Sequence, residues 1–464
     1  MTVTSRKSET NPYLEANFGP VHEEVTVADL TVTGTIPDHL DGRYLRIGPN
    51  PLGAPDPGAY HWFTGEGMVH GLRLRDGKAE WYRNRWVRSG DVADALGEPH
   101  RPGPVNESFR DFAPNTNVIG HAGRTFAIAE SGIRPYELTD ELDTLGPCAF
   151  DGTLPVGYTA HPHRDPSSGE LHAVSYFFGW GNTVQYTVLS NDAHIVRTVE
   201  VEVSGAPMMH DFSLTDGHVV IYDLPVAFDL ELVGACAFPY RWDPDYPARI
   251  GVMRRDGDGS DMTWLDVEPC YVFHPLNAYD DGAGLVLDVV RHPKMFDAER
   301  LGPNEGPSTL DRWTVDLAAG KVIETRLDNR GQEFPRIDER LTGRRHRYGY
   351  AVAAGPETKP DDDMNSVVRH DLVEGRTDVR SFGPGVGVSE FVFVPTSTES
   401  AEDDGVLMGF THHRATEHST LTILDAQSLE TVASVAIPAR IPYGFHGNWI
   451  PSQGGGPSRS PLDA

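Results

Sequence analysis

Apolar residues along this chain come in short bursts, alternating with polar ones. TFAIAES, LHAVSYFF, TVQYTVLS, HVVIYDL, GLVLDVV, YGYAVAA, EFVFVP and TLTIL are the clearest. Alternation with a period of two, broken by turn residues, predicts strands. Sustained helical periodicity is scarce, and the 48 glycines and 36 prolines are spread throughout. This texture fits an all-β sandwich, barrel or propeller.

Repeats choose among these. One pattern recurs: an alternating strand, a polar turn with Asp or Asn, then a second strand. WTVDLAAGKVIETRL turns near Asp316, VVRHDLVEGRTDVRSF near Asp371 and LTILDAQSLETVASV near Asp425, 55 and 54 residues apart. Looser copies turn near Asp76, Asp140, Asn191 and Asp256. Seven hairpins, one per four-stranded blade, predict a seven-bladed β-propeller. The spacing exceeds a minimal blade, so long loops must project from one face, with 89–115 and 224–248 as the candidates. The expected organisation is a single domain over 1–452. The low-complexity tail, 453–464, is expected to be disordered.

Composition narrows the function. A net charge of −29 repels phosphate backbones and anionic headgroups, so nucleic acid is not an expected partner. No apolar run is long enough for a membrane-spanning helix. The N-terminal residues lack the apolar core of a secretory leader. Cys148, Cys236 and Cys270 are too few and too scattered for a disulfide framework or a thiolate metal site. A cytoplasmic location is the expectation. P-loop, G-x-S-x-G and H-E-x-x-H motifs are absent. His412-His413, Arg344-Arg345-His346 and Asp361-Asp362-Asp363 sit among polar residues and read as surface.

Histidines in apolar strand contexts are more informative. His161 follows GYTA, His210 follows two methionines in APMMHDF, His274 ends PCYVFHP, and His446 lies between aromatics in IPYGFHGNW. Taken singly, each reads better as a core histidine satisfied by a neighbour. Jointly they lie in different blades, whose innermost strands converge on one axis, where four imidazoles can meet one ion. Glu130, Glu333 and Glu390 sit at the ends of buried-looking strands, where a carboxylate needs a partner. Metal-bound imidazoles usually donate their other N–H to such a group. The competing reading is three edge glutamates facing water.

Nine segments then carry a resemblance. GRYLRIGPNP, WFTGEGMVHG, NTNV, AHP, MMHDF, FHPLNAYDDG, EFPRID, EFVFVP and PYGFHGNW, in order from about residue 12 to 452, resemble the carotenoid cleavage oxygenases. The resemblance implies a dome of loops and short helices over the propeller axis. It implies non-haem Fe(II) held by His161, His210, His274 and His446, with Glu130, Glu333 and Glu390 behind the imidazoles. It also implies that Thr116 shapes the oxygen-binding position and that Phe273 lines a substrate tunnel. The implied activity is O2-dependent cleavage of a conjugated C=C bond in a carotenoid or apocarotenoid, giving two carbonyl products. Alternatives are the same chemistry on a stilbenoid or phenylpropanoid, isomerisation at the same iron, and a metal-free binding propeller. Ala129 stands where stilbene-cleaving relatives carry a lysine, which argues against a 4-hydroxystilbene. Val226 to Tyr240, VAFDLELVGACAFPY, is read as an apolar lip for peripheral membrane contact or as a buried loop. In TAHPHRDP, His161 is the expected ligand and His163 an exposed or loop-packing residue.

Overall fold

The computed structural model describes residues 10–105, 111–355 and 364–452. The tail from 453 and Asp361 to Asp363 lie outside them. Eight sheets form among the described residues, and seven of them are the blades of a β-propeller. Blade 1 contains Gly42–Pro49, Gly67–Arg75 and Lys78–Trp86. Blade 2 runs from Asn117–His121 to Thr144–Pro147 and blade 3 from His163–Arg164 to Ile195–Glu202. Blade 4 starts at Phe212–Leu214, blade 5 at Tyr271–Asp281, blade 6 at Gln332–Arg336, and blade 7 at Val386–Val388 and Val392–Pro395. The seven polar turns read from the sequence are the outer hairpins of these blades, one each.

Burial explains which strands alternate. Gly42–Pro49 and Leu171–Tyr176 are buried at every position, whereas Ile195–Glu202 on an outer edge alternates. Strands between two neighbouring blades have both faces covered; the rim has one face in water. Apolar residues of adjacent blades interlock. Tyr44, Leu72, Phe410 and Leu421 belong to the cluster between blades 1 and 7.

Ring closure uses both ends of the chain. Gly447–Pro451 pairs with Gly42–Pro49 as the inner strand of blade 1. Thr26–Ala28 adds an outer strand to blade 1, and Val32–Gly34 adds one to blade 7. At the closure a Cβ on Gly48 would stand 2.4 Å from the Gly444 Cα. Glycine at both positions lets the two backbones touch. Phe445 N then donates to Ile47 O at 2.9 Å and Ile47 N to His446 O at 3.0 Å, which fixes where His446 enters the axis.

The expected dome is present and broader than the two loops singled out. Residues 89–115 carry the helix Gly90–Leu96. Residues 224–248 carry a small hairpin, Val226–Phe228 with Tyr240–Trp242, and the turn Leu230–Leu232. Pro12–Leu14, Ala16–Phe18 and Trp62–Thr64 add further short helical turns. Two surface readings are corrected. His346 and His412 are buried, because each takes the inward position beside an exposed neighbour, Arg345 and His413.

Candidate metal centre

Each blade brings one residue to the axis end of its innermost strand. His446 comes from blade 1, Thr116 from blade 2, His161 from blade 3, His210 from blade 4 and His274 from blade 5. Glu333 comes from blade 6 and Glu390 from blade 7. Each lies in or within two residues of a strand at the inner edge of its own sheet, so the side chains converge although their positions span more than 300 residues of sequence.

The four imidazoles are buried, and one nitrogen of each lies within 4.8 Å of all the others. His210 Nε2 stands 2.9 Å from His161 Nε2 and 3.2 Å from His274 Nε2, which is 3.1 Å from His446 Nε2. Three rings are held from behind. His210 Nδ1 donates to Glu130 at 2.7 Å, His274 Nδ1 to Glu333 at 2.6 Å and His446 Nδ1 to Glu390 at 3.0 Å. These bonds fix the tautomer and turn each Nε2 lone pair inward. Four ring nitrogens then face one point. A shared proton can bridge only one pair at a time, whereas a cation satisfies all four, so the donor set fits a metal ion.

The carboxylates are further anchored. Glu333 also accepts from His292 Nε2 at 2.7 Å and from Phe334 N at 2.7 Å. Glu390 accepts from Arg336 Nε at 2.9 Å and Gly447 N at 2.7 Å. Burial alone raises both carboxyls. The imidazoles of His274 and His292 outweigh it at Glu333, and Arg336 with His446 at Glu390, so both stay well below the usual range. Burial, with three imidazoles around it, pushes His161 far down, and burial holds His446 at about 4. Burial also lowers His274, but Glu333 outweighs it and raises the ring.

Two cavities meet at this cluster. One, of about 970 Å³, lies under the dome and is lined by aromatic side chains including Phe63, Phe228, Phe238 and Phe273. His210, His274 and His446 form part of its wall, with Thr116 and Ala129. The other, of about 1290 Å³, opens on the opposite face and is lined by charged residues including Arg124, Asp211 and Glu339. His161 lines this polar side and not the apolar one. Phe334 borders both, its ring stacked against His274 at 5.6 Å. Its backbone is left-handed at φ 54°, a strained conformation for a bulky residue.

The structure therefore brings together the four histidines and three glutamates singled out in the sequence. Phe273 packs its edge against the His210 ring at 5.3 Å. Thr116 donates its hydroxyl to Asn115 at 2.9 Å, and its carbonyl accepts from His446 N at 3.1 Å. His163 departs from the expectation. It is half-buried in the inner strand of blade 3, and its Nε2 donates to Asp211 at 2.7 Å; Asp211 raises this ring above its ordinary value against the opposing effect of burial. Val226 to Tyr240 is turned partly inward and partly outward. Phe228 and Phe238 line the cavity, while Leu230 is 76% exposed and Val233 55% exposed. Asp211, Arg336 and Phe334 were missed, although each sits next to a motif histidine, or next to or three residues from a motif glutamate.

Comparison with known proteins follows the same lines. Residues 18–451 match the family model described as retinal pigment epithelial membrane protein. A carotenoid cleavage oxygenase of Mycobacterium tuberculosis is 51% identical, over 97% of this chain and all of that protein. The crystal structure of a lignostilbene dioxygenase of Pseudomonas brassicacearum superposes with a TM-score of 0.85 at 29% identity, over 95% of this chain and 99% of that one. A cobalt-substituted apocarotenoid oxygenase of Synechocystis superposes at 0.84 with 26% identity, over 93% and 97%. With its blades, its axial histidines and these likenesses in agreement, the chain belongs to the retinal pigment epithelial membrane protein family, that of the carotenoid cleavage oxygenases.

Proposed function

We propose that this protein is a non-haem Fe(II) dioxygenase that cleaves one C=C bond of a carotenoid or apocarotenoid with O2, giving two carbonyl products. The observation that carries the reading is a buried four-imidazole cluster, three of whose rings form part of the wall of a large aromatic cavity. His161, His210, His274 and His446 would hold the iron. Imidazole ligands suit several metals; bound there, Fe(II) supplies the electron donation to O2 that redox-inert zinc lacks.

The chain's own residues do the rest. Glu130, Glu333 and Glu390 orient three rings and offset positive charge in a water-poor site. Phe63, Phe238 and Phe273 give an apolar aromatic lining that accepts a conjugated chain without competing for hydrogen bonds. The distance from cavity mouth to cluster selects the double bond. Thr116 lines the same wall as His446 and would shape the space next to the metal.

The likeness to a lignostilbene dioxygenase supports a second reading, a stilbenoid substrate. Against it, Ala129 is 2% exposed and lines the cavity, so that position offers no amine to a phenol. Leu230 and Val233, exposed beside the aromatic cavity, support peripheral contact with the membrane in which polyenes dissolve. No helix among the described residues is long and apolar enough to cross a membrane.

The test is O2 uptake and product mass spectrometry with iron-loaded protein against a panel of apocarotenals, carotenoids and hydroxystilbenes. Aldehyde or ketone pairs from the polyenes are expected. Stilbene cleavage with inert polyenes would establish the second reading, and isomerised product without O2 uptake would replace cleavage by isomerisation. Flotation with liposomes, lost in Leu230→Asp, is the expected sign of membrane contact.

A further inference from the structure

Three imidazoles of the cluster rest on glutamates. The fourth, His161, has none. Its Nδ1 instead faces Asp211 Oδ2 at 3.7 Å. That is longer than a hydrogen bond and too short to admit a water between. Asp211 is buried, with 5% of its surface exposed. Its other oxygen is held on two sides, by His163 Nε2 at 2.7 Å and by Phe212 N at 2.7 Å. The carboxylate is thus anchored through Oδ1 with Oδ2 aimed at the His161 ring.

From this geometry we infer that Asp211, braced by His163, is the positioning carboxylate of the fourth imidazole. It stands on the polar side of the cluster, where His161 lines the charged cavity. A sub-ångström rotation of either side chain brings Nδ1–H and Oδ2 to bonding distance. The bond then makes Nδ1 the protonated nitrogen and leaves Nε2 free for the ion, as the glutamates do for the other three rings. An aspartate suffices because it is supplied by the residue next to His210, already at the axis. The brace crosses from blade 3 to blade 4, so it also fixes the two blades relative to each other at the metal. This assigns a task to the second histidine of His161-Pro162-His163. It is not a ligand; it holds the residue that aims one.

The inference rests on the four-histidine iron reading, and the experiment separates the two. Fe(II) affinity is measured by competition with a chelator of known strength, and the visible absorption of the Co(II)-loaded protein reports ligand geometry. Asp211→Asn is expected to weaken iron binding by about tenfold or more and to shift the cobalt spectrum. The metal-free unfolding midpoint should fall as well, because the buried contact with His163 is weakened, so the iron affinity and the cobalt spectrum, which a merely structural role would not move, carry the test. His163→Leu should weaken binding in the same direction, and His163→Gln, which keeps an N–H, should restore it. If His161→Ala loses the metal while Asp211→Asn binds it within twofold of wild type with an unchanged cobalt spectrum, the inference fails and the iron reading stands. If the wild type binds no iron or cobalt, both fail. Should Asp211→Asn not fold, His163→Leu decides by the same two readouts.

Discussion

The three glutamates behind the imidazoles look alike in sequence, but their burial and partners differ, and removing them should not have equal consequences. Glu390 is 2% exposed and forms an ion pair with Arg336 at 2.9 Å besides accepting from His446. Glu390→Gln leaves Arg336 with its buried countercharge gone. Breaking a buried pair from one side costs about 3–5 kcal/mol. Arg336 keeps Gly447 O at 2.6 Å, Asn448 Oδ1 at 3.2 Å and the exposed Glu339 at 2.8 Å. The lower end, about 3 kcal/mol, is therefore expected. Glu130 holds His210 at 2.7 Å, and among the described residues no arginine forms an ion pair with it. A glutamine there can still accept from Nδ1–H, so Glu130→Gln should cost about 1 kcal/mol. Urea unfolding of chelator-stripped proteins reads this difference as a shift in midpoint at constant slope. Iron affinity should fall in both variants by about 10- to 100-fold. Adding Arg336→Met to Glu390→Gln should recover most of the lost stability, because the stranded charge is removed with its partner. Equal metal-free losses in Glu130→Gln and Glu390→Gln, or no recovery in the double variant, would refute the argument.

Burial holds His61 and His172 at about 3 and His346 at about 4, below the ordinary value of about 6.5. The unfolded chain therefore binds protons that the folded one refuses, so stability is full above about pH 6.5 and falls as pH drops toward 4; a flat unfolding midpoint of the stripped protein across that window would contradict this. Ala129→Phe places a ring in the cavity wall beside Glu130 and should lower kcat/KM for long apocarotenals by about tenfold, on the order of one to two kcal/mol of lost fit, with iron content unchanged; equal rates on long and short substrates would show that this wall does not meet the polyene. Removing the metal with a chelator should lower the thermal midpoint, and Fe(II) or Co(II) at about 1,000 times Kd should return about 4 kcal/mol; calorimetry with and without metal checks it.

What was legible in the sequence was what repeats locally. Each outer hairpin carries its own alternation and its own polar turn, so all seven could be read without knowing their neighbours. The axial residues were legible because a histidine or glutamate in an apolar strand is costly unless it has a partner. Closure was not legible. Gly447–Pro451 and Gly42–Pro49 pair across some 400 residues, and no local pattern records that. Thr26–Ala28 and Val32–Gly34 are three residues each, too short to show a period. His412 was hidden by His413 beside it: the strand Gly405–His413 is buried at every position through His412 and exposed only at His413, so no alternation separates the two. Asp211 was hidden differently. An acidic residue after a candidate ligand reads as surface, and only the fold brings His163 and His161 to it.

Every carboxylate–imidazole contact at the centre joins two different blades. Glu130 of blade 2 holds His210 of blade 4, Glu333 of blade 6 holds His274 of blade 5, and Glu390 of blade 7 holds His446 of blade 1. Asp211 before the first strand of blade 4 meets His163 of blade 3 in the same way. Orientation comes from another blade, adjacent for Glu333 and Glu390 and two places round the ring for Glu130. The contact between Glu390 and His446 is the most demanding of these, since it spans the seam where the two ends of the chain meet. A ring that closes out of register by one residue would turn His446 away from the axis and strand Glu390 beside Arg336. The metal site can therefore assemble only after the propeller has closed correctly, and an ion bound there favours the closed ring over any other pairing of its first and last strands.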